Sequence, residues 1–210
     1  MTTIHYFYDP MCGWCYGATE LIDTLNKHAR QHQWQLKLHP GGMIERRALD
    51  SGFRQHILQA DPHIAQLTGV EFGEAYLARI AGNSTVMLDS MLTTTAILAA
   101  NQLGVHEIDM LKAIQKAHYQ RGLDVAEADT LQMLASEQGI SPDDWEKAMQ
   151  DNEQELKPKL RHSQHMMAQL GVQGFPTLLA ETEEGWLRLP HSDFYGKPEL
   201  WQQILDQLNA

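Results

Sequence analysis

The chain contains two cysteines, Cys12 and Cys15, which are separated by Gly13 and Trp14. A run of β-branched and aromatic residues precedes the pair, and apolar residues at helical spacing follow it. Residues three apart on a helix are neighbours on one face, so the two thiols can close a disulfide with little strain. The start of a helix also stabilises a thiolate on the first cysteine. The spacing therefore predicts a redox-active pair.

Two other roles of the cysteine pair, a zinc site and a structural disulfide, are less well supported by the sequence. A structural zinc ion needs four ligands, and the chain has no second Cys-x-x-Cys motif; His162 and His165 are close in sequence but lack the usual zinc-finger spacing. A purely structural disulfide across so short a loop would remove little entropy from the unfolded chain. We therefore predict redox chemistry at Cys12 and Cys15 and no metal site.

The composition disfavours several classes of partner. The formal net charge of −11 argues against nucleic acid and against anionic membranes. No apolar run approaches the roughly 18 residues that a membrane-spanning helix needs. The chain passes from Met1 directly into strand-like sequence, without the segments of a signal peptide. We therefore expect a cytoplasmic protein; a mature periplasmic form with an added Met1 would have the same sequence features. In a reducing compartment, two cysteines favour a catalytic dithiol.

The order of sequence patterns indicates an α/β fold. Strand-like sequence occupies residues 3–8 and 34–39 with a helical pattern between them, which predicts a right-handed β-α-β unit. Residues from about 51 to 170 show helical patterns and no convincing strand. One of these helices is predicted to begin at the N-cap Ser141, and Pro158 is expected to interrupt or kink it.

Strand patterns return near the end of the chain. Residues 177–180 and 186–189 flank a polar, glycine-ended turn and predict an antiparallel hairpin. A final amphipathic helix is predicted to place five large apolar side chains on one face: Leu200, Trp201, Ile204, Leu205 and Leu208. The predicted order is therefore β-α-β, a helical block, then β-β-α.

Three segments resemble a known family. They are residues 9–17 (Asp-Pro-Met-Cys-Gly-Trp-Cys-Tyr-Gly), residues 67–73 (Leu-Thr-Gly-Val-Glu-Phe-Gly) and residues 171–177 (Gly-Val-Gln-Gly-Phe-Pro-Thr). Together they resemble the DsbA-like branch of the thioredoxin superfamily, and most closely its FrnE-type group of disulfide oxidoreductases and isomerases. The resemblance implies a thioredoxin fold interrupted by an all-helical insertion. The thioredoxin-like domain would comprise residues 1–45 and 165–210, and the insertion residues 46–164.

The resemblance also implies roles for individual residues. Cys12 would be the more exposed, nucleophilic thiol and Cys15 the resolving thiol. Pro176 would follow a cis peptide bond and face the cysteines, and with Phe175 and Thr177 it would leave a backbone edge open to an extended peptide. Protein or peptide thiols and disulfides would be the substrates. No cofactor besides the redox-active disulfide is expected, with glutathione or thioredoxin as candidate electron partners; the oligomeric state stays open.

Two departures from the family pattern bear on the chemistry. Many relatives carry an acid six residues before the first cysteine, where this chain has Tyr6. The nearest acid, Asp9, is expected to cap or shape the turn before Cys12. The dipeptide Gly13-Trp14 between the cysteines differs from those of thioredoxin and of the strongly oxidising enzymes, so the direction of electron flow stays open.

The sequence leaves two other functions open, a glutathione-dependent enzyme and a binding protein. Kappa-class glutathione transferases and 2-hydroxychromene-2-carboxylate isomerases share the fold, but they typically have a lone serine in place of the cysteine pair. A binding protein could use some of the 10 methionines as a chaperone-like surface, although core filling accounts for most of them. Trp14 is expected to be exposed as a substrate platform. His5 is a further candidate whose side of the sheet the strand pattern does not settle.

Overall fold

The computed structural model describes residues 2–208. Within them, a mixed four-stranded sheet has the order β2-β1-β5-β6. Strand β1 (Thr3–Tyr8) is parallel to β2 (Gln35–Pro40) and antiparallel to β5 (Thr177–Thr182). Strand β5 pairs in turn with β6 (Gly185–Arg188), which confirms the predicted hairpin. The predicted β-α-β … β-β-α order with a helical insertion is therefore confirmed.

Strand β1 is buried on both faces because it lies between two layers of side chains. Its residues Ile4, Tyr6 and Tyr8 point into the main core, which also contains the cysteines. On the opposite face, Phe7 packs with Leu179 and other apolar residues. Adjacent residues of a strand point to opposite faces, so double burial removes the alternation of polar and apolar residues. This is why the sequence pattern could not assign a side to His5.

Helices surround the sheet and form the insertion between β2 and β5. Those predicted from spacing in the insertion are all present. The helices are α1 (Gly13–Gly17), α2 (Thr19–Gln31), α3 (Ser51–Thr68), α4 (Glu74–Ala81), α5 (Ser90–Gln102), α6 (Glu107–Tyr119), α7 (Ala128–Glu137), α8 (Pro142–Leu170) and α9 (Pro198–Gln207), with a 3-10 turn at His191–Phe194.

The insertion also contains a short strand pair that the sequence pattern missed. Strand β3 (Arg47–Ala48) pairs with β4 (Met87–Leu88) in antiparallel orientation. Two residues are too few to show an alternating pattern, and the pairing depends on residues far apart in the chain. The expectation of no strand between residues 51 and 170 is therefore wrong at β4.

Helix α8 is continuous through Pro158, which corrects the expected interruption. A proline inside a helix removes one backbone donor and costs about 3 kcal/mol. Leu156 and Leu160, on either side of that position, are both buried, so the helix stays packed across it. Its start is as predicted, since the Ser141 hydroxyl accepts a hydrogen bond from the Asp144 N–H at 3.3 Å. The proposed domain boundary at residue 164 lies within α8.

The last helix is amphipathic, but its buried face is narrower than predicted. Trp201 and Leu205 are fully buried, whereas Leu200 is 46% exposed. Adjacent helical residues are rotated by about 100°, so Leu200 and Trp201 cannot both point into the core. Among the helices of residues 2–208, none combines the length and the apolar character that crossing a membrane would require.

Candidate active site

Cys12 lies at the N-cap of α1, and Cys15 lies one turn inside the helix. The turn before the helix is closed by a hydrogen bond from the Cys12 N–H to the Asp9 carbonyl at 3.1 Å. Both cysteines are buried, and no bond joins their sulfurs. Cys12 is 9% exposed and Cys15 only 1%, so Cys12 is the more accessible thiol, as the resemblance implies.

The environments of the two thiols push their pKa values apart. The pKa of Cys12 is lowered, first by the hydrogen bond from the Cys15 thiol and then by the backbone N–H groups of Cys15 and Trp14; burial and the Asp9 carboxylate oppose this. Burial raises the pKa of Cys15 well above its ordinary value, and the neighbouring Cys12 raises it further. These opposite shifts favour the negative charge on Cys12 over a charge on Cys15.

The loop before β5 approaches this sulfur. The peptide bond between Phe175 and Pro176 is cis, as the resemblance implies. The Cys12 sulfur lies 3.6 Å from the Phe175 carbonyl oxygen, and Cys12 donates a hydrogen bond to that oxygen when it is protonated. Thr177 is buried, and its hydroxyl donates to the Gly174 carbonyl at 2.8 Å, which closes the loop. The structure therefore brings Phe175, the residue before Pro176, directly to Cys12.

The Phe175 ring fits against the chain after β2 because residue 41 has no side chain. A Cβ atom added to Gly41 would lie only 2.1 Å from the Cζ atom of Phe175. Any larger residue at position 41 would therefore displace the ring. Since the Phe175 carbonyl lies beside the Cys12 sulfur, Gly41 contributes to the geometry of the site through Phe175.

Asp9 connects the cysteine turn to the insertion. Its carboxylate accepts hydrogen bonds from the Met11 N–H at 2.9 Å, from the Met43 N–H at 2.7 Å and from the Ser90 hydroxyl at 2.7 Å. Complete burial raises the pKa of Asp9, and these three donors oppose that rise. The Asp9 N–H also donates to the Cys15 sulfur at 3.5 Å. Asp9 thus shapes the turn as expected, and it also links the turn to helix α5.

Tyr6 is buried beside the sulfurs at the position where many relatives carry an acid. Its pKa is raised well above that of a free phenol, chiefly by burial and then by the nearby Cys15 and Cys12. Its ring stacks on that of Tyr8 with centroids 5.2 Å apart. Tyr6 therefore stays a neutral phenol through the pH range in which the thiols react.

Trp14 is half-buried, which corrects the expectation that it is exposed. Its ring stacks on Tyr195 at 5.8 Å between centroids and meets the edge of His63 at the same separation. Tyr195 follows the 3-10 turn near the end of the chain, and His63 belongs to α3. These contacts join residues too far apart in sequence for a local pattern to reveal them.

A cavity of about 220 Å³ opens beside Cys12 and extends towards the insertion. In its wall, the Tyr76 hydroxyl donates to the Asp61 carboxylate at 2.8 Å. Burial raises the pKa of Asp61 to about 6. Burial also lowers the pKa of His118, a third residue of the wall, to about 4, so its ring is neutral at pH 7. No local sequence pattern marks these three residues, because each lies on a different helix of the insertion.

His5 and His162, which the sequence pattern raised as candidates, lie on the other face of the sheet. The His5 Nδ1 is 2.9 Å from the His39 Nε2, and the His5 Nε2 is 3.3 Å from a Glu181 carboxylate oxygen. The His162 ring lies 6.0 Å from that of His39. These residues form a polar cluster behind β1, separated from the cysteines by the sheet.

The chain is similar to known proteins over nearly its whole length. Residues 3–193 match the family model described as DSBA-like thioredoxin domain. The chain is similar to the cytosolic disulfide reductase DsbM from Pseudomonas aeruginosa, with 33% identity, a TM-score of 0.89, and 98% of each chain covered. A structure of that reductase with GSH gives 34% identity and the same TM-score, covering 99% of this chain and 100% of that one.

A more distant structure shares the fold alone. The DsbA disulfide interchange protein from Klebsiella pneumoniae is 12% identical, with a TM-score of 0.58, and the match covers 98% of this chain and 85% of that one. No curated protein sequence matches the chain. The matched family model spans both the cysteine pair and the loop that carries Pro176. The chain therefore belongs to the DsbA-like thioredoxin-domain family of thiol-disulfide oxidoreductases.

Proposed function

We propose that the protein catalyses thiol–disulfide exchange on peptide and protein disulfides in the reducing direction, with glutathione as the source of electrons. The observation that carries the proposal is the division of roles in the pair. Cys12 has a lowered pKa and Cys15 is a buried, protonated thiol. The reducing direction is supported by the similarity to a cytosolic disulfide reductase, and the electron source by that reductase's structure with GSH.

The first chemical step is attack by the Cys12 thiolate on a substrate disulfide. A bond forms between the Cys12 sulfur and one substrate sulfur, and the other substrate sulfur leaves as a thiolate that takes up a proton. The negative charge on Cys12 then disappears. That charge is one cause of the raised pKa of Cys15, so its loss makes Cys15 easier to deprotonate when its thiolate is needed.

The second step releases the substrate. Cys15 gives up its proton and attacks Cys12, the mixed disulfide breaks, and the substrate leaves with both sulfurs reduced. The protein now holds the Cys12–Cys15 disulfide, and two molecules of glutathione reduce it and leave as glutathione disulfide. Electrons therefore pass from two thiols of glutathione to one substrate disulfide.

The loop at 174–177 and the cavity beside Cys12 are the proposed substrate contacts. The Phe175 carbonyl oxygen lies 3.6 Å from the Cys12 sulfur, which the substrate sulfur must approach. An extended peptide can lie along this backbone edge, in the manner of an added strand. Trp14, half-buried beside Tyr195, would form one wall rather than an exposed platform.

The proposal also includes the cellular location of the protein, its subgroup within the family and its domain boundaries. The cytoplasmic location rests on the similarity to a cytosolic reductase. Membership of the FrnE-type group rests on the three sequence segments. The division into residues 1–45 with 165–210 and residues 46–164 rests on the order of elements.

A glutathione-dependent transferase is the second candidate function. The relative's structure with GSH and the cavity of about 220 Å³ beside Cys12 favour it. It would need only one reactive group, whereas this site has a matched pair of thiols with separated pKa values. The two functions therefore differ in their requirement for Cys15.

Turnover with glutathione distinguishes the two candidates. The wild type, supplied with glutathione and glutathione reductase, should accelerate the reduction of insulin or of a peptide disulfide. Cys12→Ser should abolish this activity and Cys15→Ser should lower it sharply, while His165→Ala, an exposed change on α8, should leave it unaltered. An inactive wild type that conjugates glutathione to a small electrophile would replace the reductase proposal with the transferase.

A further inference from the structure

Two histidines and an aspartate form a cluster on the far side of the molecule. His28 lies in the last turn of α2 and His32 is the C-cap residue of that helix. Residues four apart share one face of a helix, so both rings project to the same side. Asp206 comes from α9 and completes a group of three side chains that each offer one ligand atom. His28 is fully buried, whereas His32 and Asp206 are exposed.

The ligand atoms are close to the separations that a metal ion requires. The His28 Nδ1 is 3.6 Å from an Asp206 carboxylate oxygen. The two imidazole rings lie 4.2 Å apart between centroids, and one ligand atom from each residue lies within 4.8 Å of the others. Bonds of about 2.0–2.2 Å to a tetrahedral ion would place the ligand atoms roughly 3.3 Å apart. Rotation of the exposed His32 and Asp206 side chains is enough to close the difference.

The hydrogen bonds of Gln202 show which His28 atom faces the cluster. The Gln202 amide nitrogen lies 2.7 Å from the His28 Nδ1 and 3.2 Å from the Asp206 carboxylate. An amide nitrogen only donates, so the His28 Nδ1 accepts and its lone pair is directed at the Gln202 amide, which also donates to the Asp206 carboxylate. The polar hydrogens of Gln202 thus lie where a cation would bind between the two ligands.

The two helices that supply the ligands are fixed to one another. The Trp201 indole N–H donates to the Leu21 carbonyl on α2 at 3.0 Å. Trp201 and Leu205 are fully buried, which fixes the rotation of α9 and therefore the position of Asp206. The Trp34 ring packs on both histidines, with centroids 4.7 Å from His28 and 6.2 Å from His32.

We propose that His28, His32 and Asp206 bind a divalent transition-metal ion, with Zn²⁺ the best match, and that the ion clamps α9 onto α2. Two imidazoles and one carboxylate are a donor set that Zn²⁺ accepts readily, with a fourth position left for water or the Gln202 amide oxygen. The 13 residues of α2 span about 20 Å, and the cluster is at the end of that helix away from the cysteines. The ion therefore takes no part in disulfide exchange.

Titration with ZnCl₂ by isothermal calorimetry tests the proposal. The Cys12→Ser/Cys15→Ser chain is the background, because cysteine thiolates would otherwise compete for zinc. One Zn²⁺ should bind per chain. His32→Ala and Asp206→Asn, both exposed changes, should each weaken binding by about tenfold or more, since losing a ligand costs at least as much as losing its hydrogen-bond partner. The exposed His165→Ala should leave the affinity unchanged.

The fluorescence of Trp34 gives an independent readout. Ni²⁺ bound at the cluster should quench it, and Trp34→Phe should remove most of the quenching while keeping the affinity. Unchanged zinc affinity in His32→Ala would overturn the proposal. So would an equal loss of affinity in His165→Ala, which would indicate binding to surface histidines in general.

Discussion

Replacing Cys15 by alanine should raise the pKa of Cys12. The Cys15 thiol donates a hydrogen bond to the Cys12 sulfur, and this bond is the largest cause of the lowered pKa of Cys12. Alanine removes the donor but keeps the backbone N–H groups of residues 14 and 15. The Cys12 thiolate should therefore lose part of its stabilisation and retain the rest.

The size of the effect follows from the strength of one hydrogen bond. A hydrogen bond to a charged group contributes about 1.5–3 kcal/mol, and a thiol is a weak donor, which favours the lower end. One pKa unit corresponds to about 1.4 kcal/mol. The pKa of Cys12 should accordingly rise by about one unit in Cys15→Ala. Cys15→Ser retains a hydroxyl donor and should show less than half of that rise.

The rate of alkylation by iodoacetamide, measured by mass spectrometry between pH 4 and 10, gives the pKa of Cys12 in each variant. Thiolate absorbance in the far ultraviolet provides a second measurement on the same samples. A pKa of Cys12 that is the same in Cys15→Ala as in Cys15→Ser would refute the role assigned to the Cys15 thiol. The backbone donors alone would then account for the reactivity of Cys12.

Two further predictions concern stability. Ser90→Ala removes the hydroxyl that donates to the buried Asp9 carboxylate. The free energy of unfolding, measured by urea titration, should fall by about 2–3 kcal/mol. Ser90→Thr keeps the hydroxyl and is the control. His39, whose pKa is lowered from 6.5 to about 3 by burial, should contribute stability above pH 6.5 that is lost as the pH falls towards 3. The pKa of Asp61 is raised to about 6, so the contribution of Asp61 to the free energy of unfolding instead increases as the pH falls below 6. In His39→Gln, the free energy of unfolding should therefore fall less steeply as the pH drops from 6.5 towards 3. An unchanged pH dependence would contradict the lowered pKa of His39.

Local patterns were sufficient to predict the elements that carry the cysteines. The spacing of Cys12 and Cys15 at a strand-to-helix junction is a short-range feature, and so is the hairpin of β5 and β6. The resemblance of residues 171–177 to a known loop supplied the position of Pro176. Each of these depends on residues within a few positions of one another, which is the range over which a sequence pattern carries information.

The rest of the site depends on contacts between distant parts of the chain. Asp61, Tyr76 and His118 line the cavity only because three helices of the insertion converge on Cys12. Trp14 is covered by Tyr195, which lies about 180 residues further along the chain. Burial also determines the direction of the pKa shifts of Asp61 and His118, and burial is a property of the folded chain.

Trapping of the mixed disulfide tests the central assignment, Cys12 as nucleophile and Cys15 as resolving thiol, most directly. Reduced Cys15→Ser and Cys12→Ser proteins are each mixed with oxidised glutathione, and the adduct is located by peptide mass spectrometry. Cys15→Ser should accumulate a stable glutathione adduct on Cys12, because attack still occurs and resolution does not. Cys12→Ser should remain unmodified, because the buried Cys15 thiol stays protonated. An adduct that forms on Cys15 as fast as on Cys12 would contradict the assignment.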